Sequence, residues 1–141
     1  MRDGRFSSVR LSWNVSPMNL DRIFEGSTGF NKPFLGFDLE TFSPYGFPSY
    51  FRDPIVNFSV AIQGEAGFLI ISFVSRPSFE LELIKILRGV LEALGGGVLF
   101  TYNGLKFDVE YAVGRAALYG LDLRGVFEMY RHLDLYRLLR H

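Results

Sequence analysis

"FLGFDLETF", residues 34–42, is the most informative stretch of the sequence because it sets two carboxylates, Asp38 and Glu40, within an apolar run. Alternate residues of a β-strand point to opposite faces, so side chains two positions apart lie on the same face. A buried carboxylate without a partner is too costly to persist. The stretch therefore predicts a central strand whose end reaches the surface, or one whose two carboxylates share a cation.

The composition predicts one folded domain. Of the 141 residues, 48% are hydrophobic and 16% aromatic, which excludes disorder as the main state. Fifteen Lys and Arg balance fifteen Asp and Glu, so any contact with a polyanion must be local or assisted by metal. The absence of Cys excludes disulfides, thiolate zinc sites and Cys nucleophiles. Because no apolar run is long enough for a signal peptide or a membrane span, we expect a soluble, cytoplasmic protein.

Residues 1–32 are interpreted as an N-terminal strand and loop extension that packs on a domain formed by residues 33–141. Within the extension, alternating apolar residues predict a strand over 5–13, and residues 19–24 suit a short turn of helix. No internal repeat or linker divides the chain further.

The first half of the domain predicts an antiparallel meander of three strands. A loop with three prolines, residues 43–54, follows the strand at 34–42. Two β-branched and aromatic runs, 55–63 and 67–74, are separated by Gly-Glu-Ala, which is the pattern of a hairpin.

The second half alternates helices and strands. Leucine and isoleucine at helical spacing predict a helix over 79–94, which the glycines at 95–97 end. A buried strand over 98–102 and a second helix over 109–121 follow, and 131–141 suits a brief strand that continues into a helix. This order predicts an α/β fold with a mixed sheet flanked by helices.

Acidic residues follow two of the predicted strands. Asp38 and Glu40 lie toward the end of one, and Asn103 and Asp108 come just after another, so all four are expected at one rim of the sheet. Asp108 is expected at the start of its helix, where the helix dipole favours the ionised form. Oxygen ligands without Cys or paired His favour Mg²⁺ or Mn²⁺ over zinc. Two such ions, about 3.5 to 4 Å apart, would suit the hydrolysis of a phosphodiester.

Four segments also carry a family resemblance. They are "FDLET" (37–41), "DPIVNFSVAI" (53–62), "LFTYNGLKFDVEYAVGRAALYGLDL" (99–123) and "HLDLYRLL" (132–139). Over residues 34–140 the chain resembles the 3′–5′ exonuclease domain of family B DNA polymerases and related ribonuclease H-like (DEDD) nucleases. The resemblance implies a ribonuclease H-like fold and a two-metal exonuclease that uses Mg²⁺ or Mn²⁺. It implies single-stranded DNA as the substrate, with RNA as the alternative.

The resemblance also implies roles for individual residues. The implied metal ligands and catalytic residues are Asp38, Glu40 and Asp108, and the implied substrate-binding residues are Thr41, Asn103 and Phe107.

The third exonuclease motif of that family, a Tyr or His followed by a fourth metal-binding Asp, is not found after residues 132–139. Asp134 matches a strand position before that motif, and His132 does not have its spacing. If the chain is an active nuclease, we expect a homodimer or a partner chain to supply the missing motif. Two alternatives stay open: a catalytically incomplete module that binds nucleic acid or a replication protein, and the N-terminal piece of a split nuclease.

Structural interpretations compete at several of these positions. Asp38 and Glu40 suit an exposed strand end without metal, and Asn103 with the glycine after it suits a hairpin turn. Phe107 suits the core as well as a substrate platform, and so does Tyr102.

The remaining candidates are also ambiguous. Lys106 and Arg115 suit contacts with a phosphate backbone or a solvated helix face. The aromatic loop at 42–51 suits base stacking or packing on itself. We expect His132 and His141 to be surface or partner-free residues.

Overall fold

The structure is a computed structural model of the chain that describes residues 10–12, 34–64 and 67–140. The predicted turn of helix at 19–24, most of the predicted strand at 5–13, and the boundary between extension and domain lie outside these residues.

The described residues form one six-stranded mixed sheet with the strand order β1-β4-β3-β2-β5-β6. The strands are β1 (Arg10–Ser12), β2 (Phe34–Thr41), β3 (Ile55–Gly64), β4 (Gly67–Val74), β5 (Gly97–Thr101) and β6 (Tyr130–Asp134). The predicted meander is confirmed, since β3 runs antiparallel to β2 and to β4. Strands β5 and β6 extend the sheet in parallel with β2, and β1 pairs antiparallel with the outer edge of β4.

Within the described residues, four helices accompany the sheet. They are α1 (Glu80–Leu94), which follows a 3-10 turn at Pro77–Phe79, α2 (Asp108–Leu118), α3 (Arg124–Phe127) and α4 (Leu135–Leu139). The sequence predicts α1, α2 and α4 but misses α3, which is too short to show a helical period. None of the helices that the described residues form has the length and apolar character needed to cross a membrane.

The core explains why these segments adopt their structures. Leu35, Phe37 and Leu39 alternate along β2 and are buried in the same apolar cluster as Leu83 and Leu87 of α1. Burying a side chain of this size stabilises the fold by roughly 1.5 to 3 kcal/mol. Helix α1 ends at Gly95, whose left-handed φ of 69° is the predicted glycine stop. The packed strand β2 thereby positions the two carboxylates on its other face.

Candidate active site

Asp38 and Glu40 lie side by side on the exposed face of β2. Both side chains are exposed, whereas the alternating residues between and before them are buried. In the neighbouring strand, Asp38 is paired with Ser59 and Glu40 with Asn57. The predicted arrangement is confirmed: the strand carries both carboxylates on one face that reaches solvent.

A β-bulge ends this strand pair next to the carboxylates. Glu40 pairs with Asn57 but Thr41 pairs with Ile55, so the partner strand contains one extra residue at this point. Bulges of this kind turn a strand end and redirect its side chains. The Thr41 hydroxyl is hydrogen-bonded to the Ser43 hydroxyl at 2.6 Å.

The loop after β5 is fixed by Asp134. This buried residue ends β6, and its carboxylate accepts hydrogen bonds from the Asn103 amide at 2.7 Å, the Leu105 amide at 3.3 Å and the Tyr136 amide at 3.1 Å. Asn103 has a left-handed φ of 57°, which Asn tolerates better than most residues. The loop therefore leads into α2 rather than into a hairpin strand.

A glycine makes the same loop compact. A Cβ at Gly104 would lie 2.4 Å from the Thr101 Cβ, so no other residue fits without moving the loop away from the sheet.

Asp108 is the first residue of α2 and is buried. Burial and the charges of Asp38, Glu40 and Asp134 raise its pKa from the usual 3.8 to about 7. The expectation that the helix dipole keeps this carboxylate ionised is therefore wrong, because desolvation and three like charges outweigh the dipole. The carboxylates of β2 and β6 thus lie close enough to Asp108 for their charges to add to the effect of burial.

The donors at this rim are carboxylate oxygens, which fit Mg²⁺ or Mn²⁺ in their chemistry. These carboxylates are not yet close enough together to bind a metal ion. Within residues 10–12, 34–64 and 67–140, no three His, Asp or Glu side chains surround a common point closely enough to hold one. Because the side chains of Asp38 and Glu40 are exposed, no core packing restricts their rotation.

A groove of about 530 Å³ runs beside Glu40. Its lining includes Glu40 and all three predicted substrate-binding residues, Thr41, Asn103 and Phe107. The exposed Lys106 also lines it. The structure thus brings one predicted metal ligand, Glu40, and the three predicted substrate-binding residues into one concave surface, whereas Asp38 lines a separate pocket with Ser59 and Tyr102.

Phe107 packs against the core and also lines the groove. The centroid of its ring lies 5.2 Å from the centroid of the Tyr111 ring, and the side chain packs against the buried apolar cluster. The Phe47 ring meets it edge-on at 6.0 Å from the groove side. The core and substrate-platform interpretations are therefore compatible. Tyr102 is exposed and meets the Tyr136 ring edge-on at 5.7 Å, so assigning it to the core is wrong.

Two other predictions need correction. Arg115 does not lie on a solvated helix face, because it is buried and forms an ion pair with the buried Glu80. His132 has a partner: its Nε2 lies 2.9 Å from the Phe127 carbonyl oxygen, and the two rings meet edge-on. His141 lies outside the described residues.

The residues that sequence analysis missed are those that fix the loop after β2. Glu80 is one of two acidic residues in the first turn of α1, and nothing in its spacing distinguishes it as a buried partner of Arg115. Long-range pairs of this kind become visible only once the helices are packed.

Comparison of the sequence with known proteins gives relatives among archaeal DNA polymerases. The chain is 31% identical over 94 residues to a DNA polymerase of Methanocaldococcus jannaschii and 34% identical over 94 residues to one of Pyrococcus glycovorans. Each match covers 63% of this chain but only 6% and 12%, respectively, of the relative. The chain thus spans a small part of the length of these polymerases. No family model matches.

Comparison of the fold gives consistent neighbours. The family B DNA polymerase of Pyrobaculum calidifontis matches with a TM-score of 0.66 and 22% identity, over 78% of this chain and 16% of that chain. E. coli exonuclease I, in complex with a dT13 oligonucleotide, matches with a TM-score of 0.60 and 13% identity, over 78% of this chain and 29% of that chain.

Proposed function

We propose that this protein is a metal-dependent 3′–5′ exonuclease. It hydrolyses phosphodiester bonds of single-stranded nucleic acid. The proposal is supported by its relatives among DNA polymerases and by its ribonuclease H-like fold, which resembles that of the family B polymerase and of exonuclease I. The observation that carries the proposal is that Asp38 and Glu40 share one exposed strand face beside a groove that Glu40 lines, close enough to Asp108 that burial and these charges raise the Asp108 pKa to about 7.

Asp38, Glu40 and Asp108 would hold the Mg²⁺ or Mn²⁺ ions. Bound divalent ions lower the pKa of a water molecule and stabilise the charge that develops on a phosphodiester. The carboxylates themselves supply the negative charge that attracts the ions to the rim. Because a cation offsets repulsion among carboxylates, its binding would also favour the ionised form of Asp108.

The substrate is proposed to lie in the groove beside Glu40. Asn103 and Thr41 offer polar groups to the terminal nucleotide, and Phe107 offers an aromatic surface to its base. Lys106 supplies positive charge for the phosphate backbone.

The proposed two-metal mechanism requires a fourth carboxylate as a metal ligand. Asp134 is a positioning residue rather than a ligand in this proposal, since three backbone amides already occupy its carboxylate. We therefore propose that the fourth group comes from outside the described residues, in a second copy of the chain or a partner chain.

One observation favours a second candidate function. The carboxylates of the described residues do not surround a metal position as they are placed. A module that binds single-stranded nucleic acid without cutting it is consistent with that arrangement, and the same experiment separates the two functions.

The test is the digestion of a 5′-labelled single-stranded DNA oligonucleotide with Mg²⁺ or Mn²⁺, with binding measured in parallel. Asp38→Asn is expected to lower the rate by at least about 1,000-fold, because metal-ion catalysis contributes several kcal/mol. Glu82→Gln is the matched control, since it removes an exposed carboxylate from α1, outside the rim.

A ladder that shortens from the 3′ end, and that Asp38→Asn abolishes, would support the exonuclease. Binding without cleavage would support the binding module instead. Equal activity of Asp38→Asn and Glu82→Gln would contradict the assigned site.

A further inference from the structure

The loop between β2 and β3, residues 42–54, exposes an unusual amount of aromatic surface. Phe47 is 85% exposed, Tyr45 79% and Phe51 70%. Large apolar surfaces in contact with water are unfavourable, and grouped ones mark binding sites. The aromatic residues of this loop therefore need an explanation beyond packing.

Buried and part-buried hydrogen bonds hold this loop in place. Arg115 donates to the Tyr50 carbonyl at 2.8 Å, and the Tyr111 hydroxyl donates to the Asp53 carbonyl at 2.7 Å. The Ser49 amide donates to the Asp53 carboxylate at 2.9 Å. Since the donors of α2 are buried, the loop presents its aromatic rings from a fixed backbone.

The loop and α2 enclose a second groove, of about 890 Å³. Tyr50 and Phe51 line one wall, and Gly114 and Leu118 of α2 line the other. A Cβ at Gly114 would lie 2.9 Å from the Tyr50 ring, so the glycine lets the loop approach the helix.

The second groove is continuous with the groove beside Glu40. Phe47, Pro48, Lys106 and Phe107 line both of them. Phe47 and Phe107, whose rings meet edge-on, therefore form a ridge between two parts of one surface.

The charges of the second groove suit a polyanion. Its charged lining residues are Lys106, Glu110 and Arg124. Arg124 forms two hydrogen bonds with the Glu110 carboxylate, at 3.1 and 2.9 Å, and so neutralises it. Lys106 leaves the groove with one net positive charge.

We propose that the second groove binds the nucleotides upstream of the 3′ end of a single-stranded nucleic acid, and that Phe47 stacks on a base where the strand crosses the ridge. Every base has a face that stacks on an aromatic ring, so this contact is independent of sequence. This inference rests on the proposed function, because the carboxylates fix which end of the strand lies in the first groove. Continuity between the grooves favours one long ligand over a separate peptide.

Binding in EDTA tests the inference without cleavage. Single-stranded oligo(dT) of increasing length is titrated by fluorescence anisotropy, with 2-aminopurine placed at successive positions from the 3′ end as a reporter of stacking. We expect the affinity of the unmodified protein to rise with length as the strand enters the second groove. Phe47→Ala is expected to weaken binding of the longer oligonucleotides by about fivefold or more and to relieve quenching upstream of the terminal nucleotide.

Phe79→Ala is the matched control, since Phe79 is 54% exposed but lines neither groove. Equal binding by Phe47→Ala and Phe79→Ala at all lengths would overturn the inference. So would an affinity that does not change with length. These outcomes differ from failure of the proposed function, in which Mg²⁺ or Mn²⁺ supports no cleavage although binding still depends on Phe47.

Discussion

Two buried carboxylates occupy equivalent positions in this fold and have opposite surroundings. Glu80 is the first residue of α1, and Asp108 is the first residue of α2. Glu80 is surrounded by donors: Arg115 forms an ion pair with it, the Tyr119 hydroxyl donates at 2.6 Å and the Ile55 amide at 2.5 Å. Asp108 instead has other carboxylates as neighbours, and burial together with their charges raises its pKa.

The partners of a buried carboxylate, rather than its residue type or its place on a helix, therefore determine what it does. A carboxylate with a full set of donors stabilises the fold and has no remaining capacity for a ligand. A carboxylate held among like charges opposes folding, and a cation would relieve that repulsion. Glu80 is thus interpreted as structural, and Asp108 as a ligand for metal.

Removing the charge of Glu80 is the strongest test of this comparison. Glu80→Gln leaves the buried guanidinium of Arg115 without its counter-charge, and loss of one partner of such a pair costs about 3 to 5 kcal/mol. We expect a fall of that size in the free energy of unfolding, measured with urea. Glu92→Gln is the control, because its pair with Arg88 is exposed and contributes about 0.3 to 0.5 kcal/mol.

Similar losses in Glu80→Gln and Glu92→Gln would contradict the structural role of the buried pair. Arg115 also donates to the Tyr50 carbonyl, so a destabilised pair is expected to loosen the loop that carries Phe47.

Much of the fold follows from local pattern. Alternation along β2, the hairpin of β3 and β4, and the helical spacing and glycine stop of α1 each have a period or a turn signal that the sequence displays. The short α3 has no such signal, because four residues are too few to show a period.

The candidate site likewise has some features that follow from local sequence pattern and others that depend on distant residues. Asp38 and Glu40 are neighbours on one strand, so their common face follows from alternation. Glu80, the partner of Arg115, and the Asn103 and Leu105 amides that Asp134 accepts from are more than 25 residues away from them, and no local pattern encodes these pairs. The ionisation of Asp108 was mispredicted for this reason, since the helix dipole is local whereas its neighbouring charges come from three other positions in the chain.

The pH dependence of stability tests Asp108 itself. Its pKa is about 7 in the folded protein and about 4 when unfolded, so between these values the folded state binds one proton more and stability falls as pH rises. Asp108→Asn removes this effect, and we expect it to raise the free energy of unfolding at pH 8 by up to about 4 kcal/mol. At pH 4 the gain is expected to vanish.

Denaturation of Asp108→Asn and of the unmodified protein at pH 4 and pH 8, without divalent ions, measures this difference. Adding Mg²⁺ at pH 8 should stabilise only the protein that retains Asp108. An equal difference at both pH values would show that the carboxylate is not held protonated by its neighbours.

Asp134 combines both kinds of surroundings and gives the smallest expected effect. It accepts hydrogen bonds from the amides of Asn103 and Leu105, yet its charge also raises the pKa of Asp108. Asp134→Ala loses charge-assisted hydrogen bonds, which costs about 1.5 to 3 kcal/mol, but at pH 8 it also removes repulsion from Asp108. We therefore expect a smaller loss of stability at pH 8 than at pH 5, together with a lower Asp108 pKa in a carbon-13 NMR titration. A loss that is independent of pH, with the Asp108 pKa unchanged, would show that Asp134 only supports the loop and lies outside the electrostatic cluster.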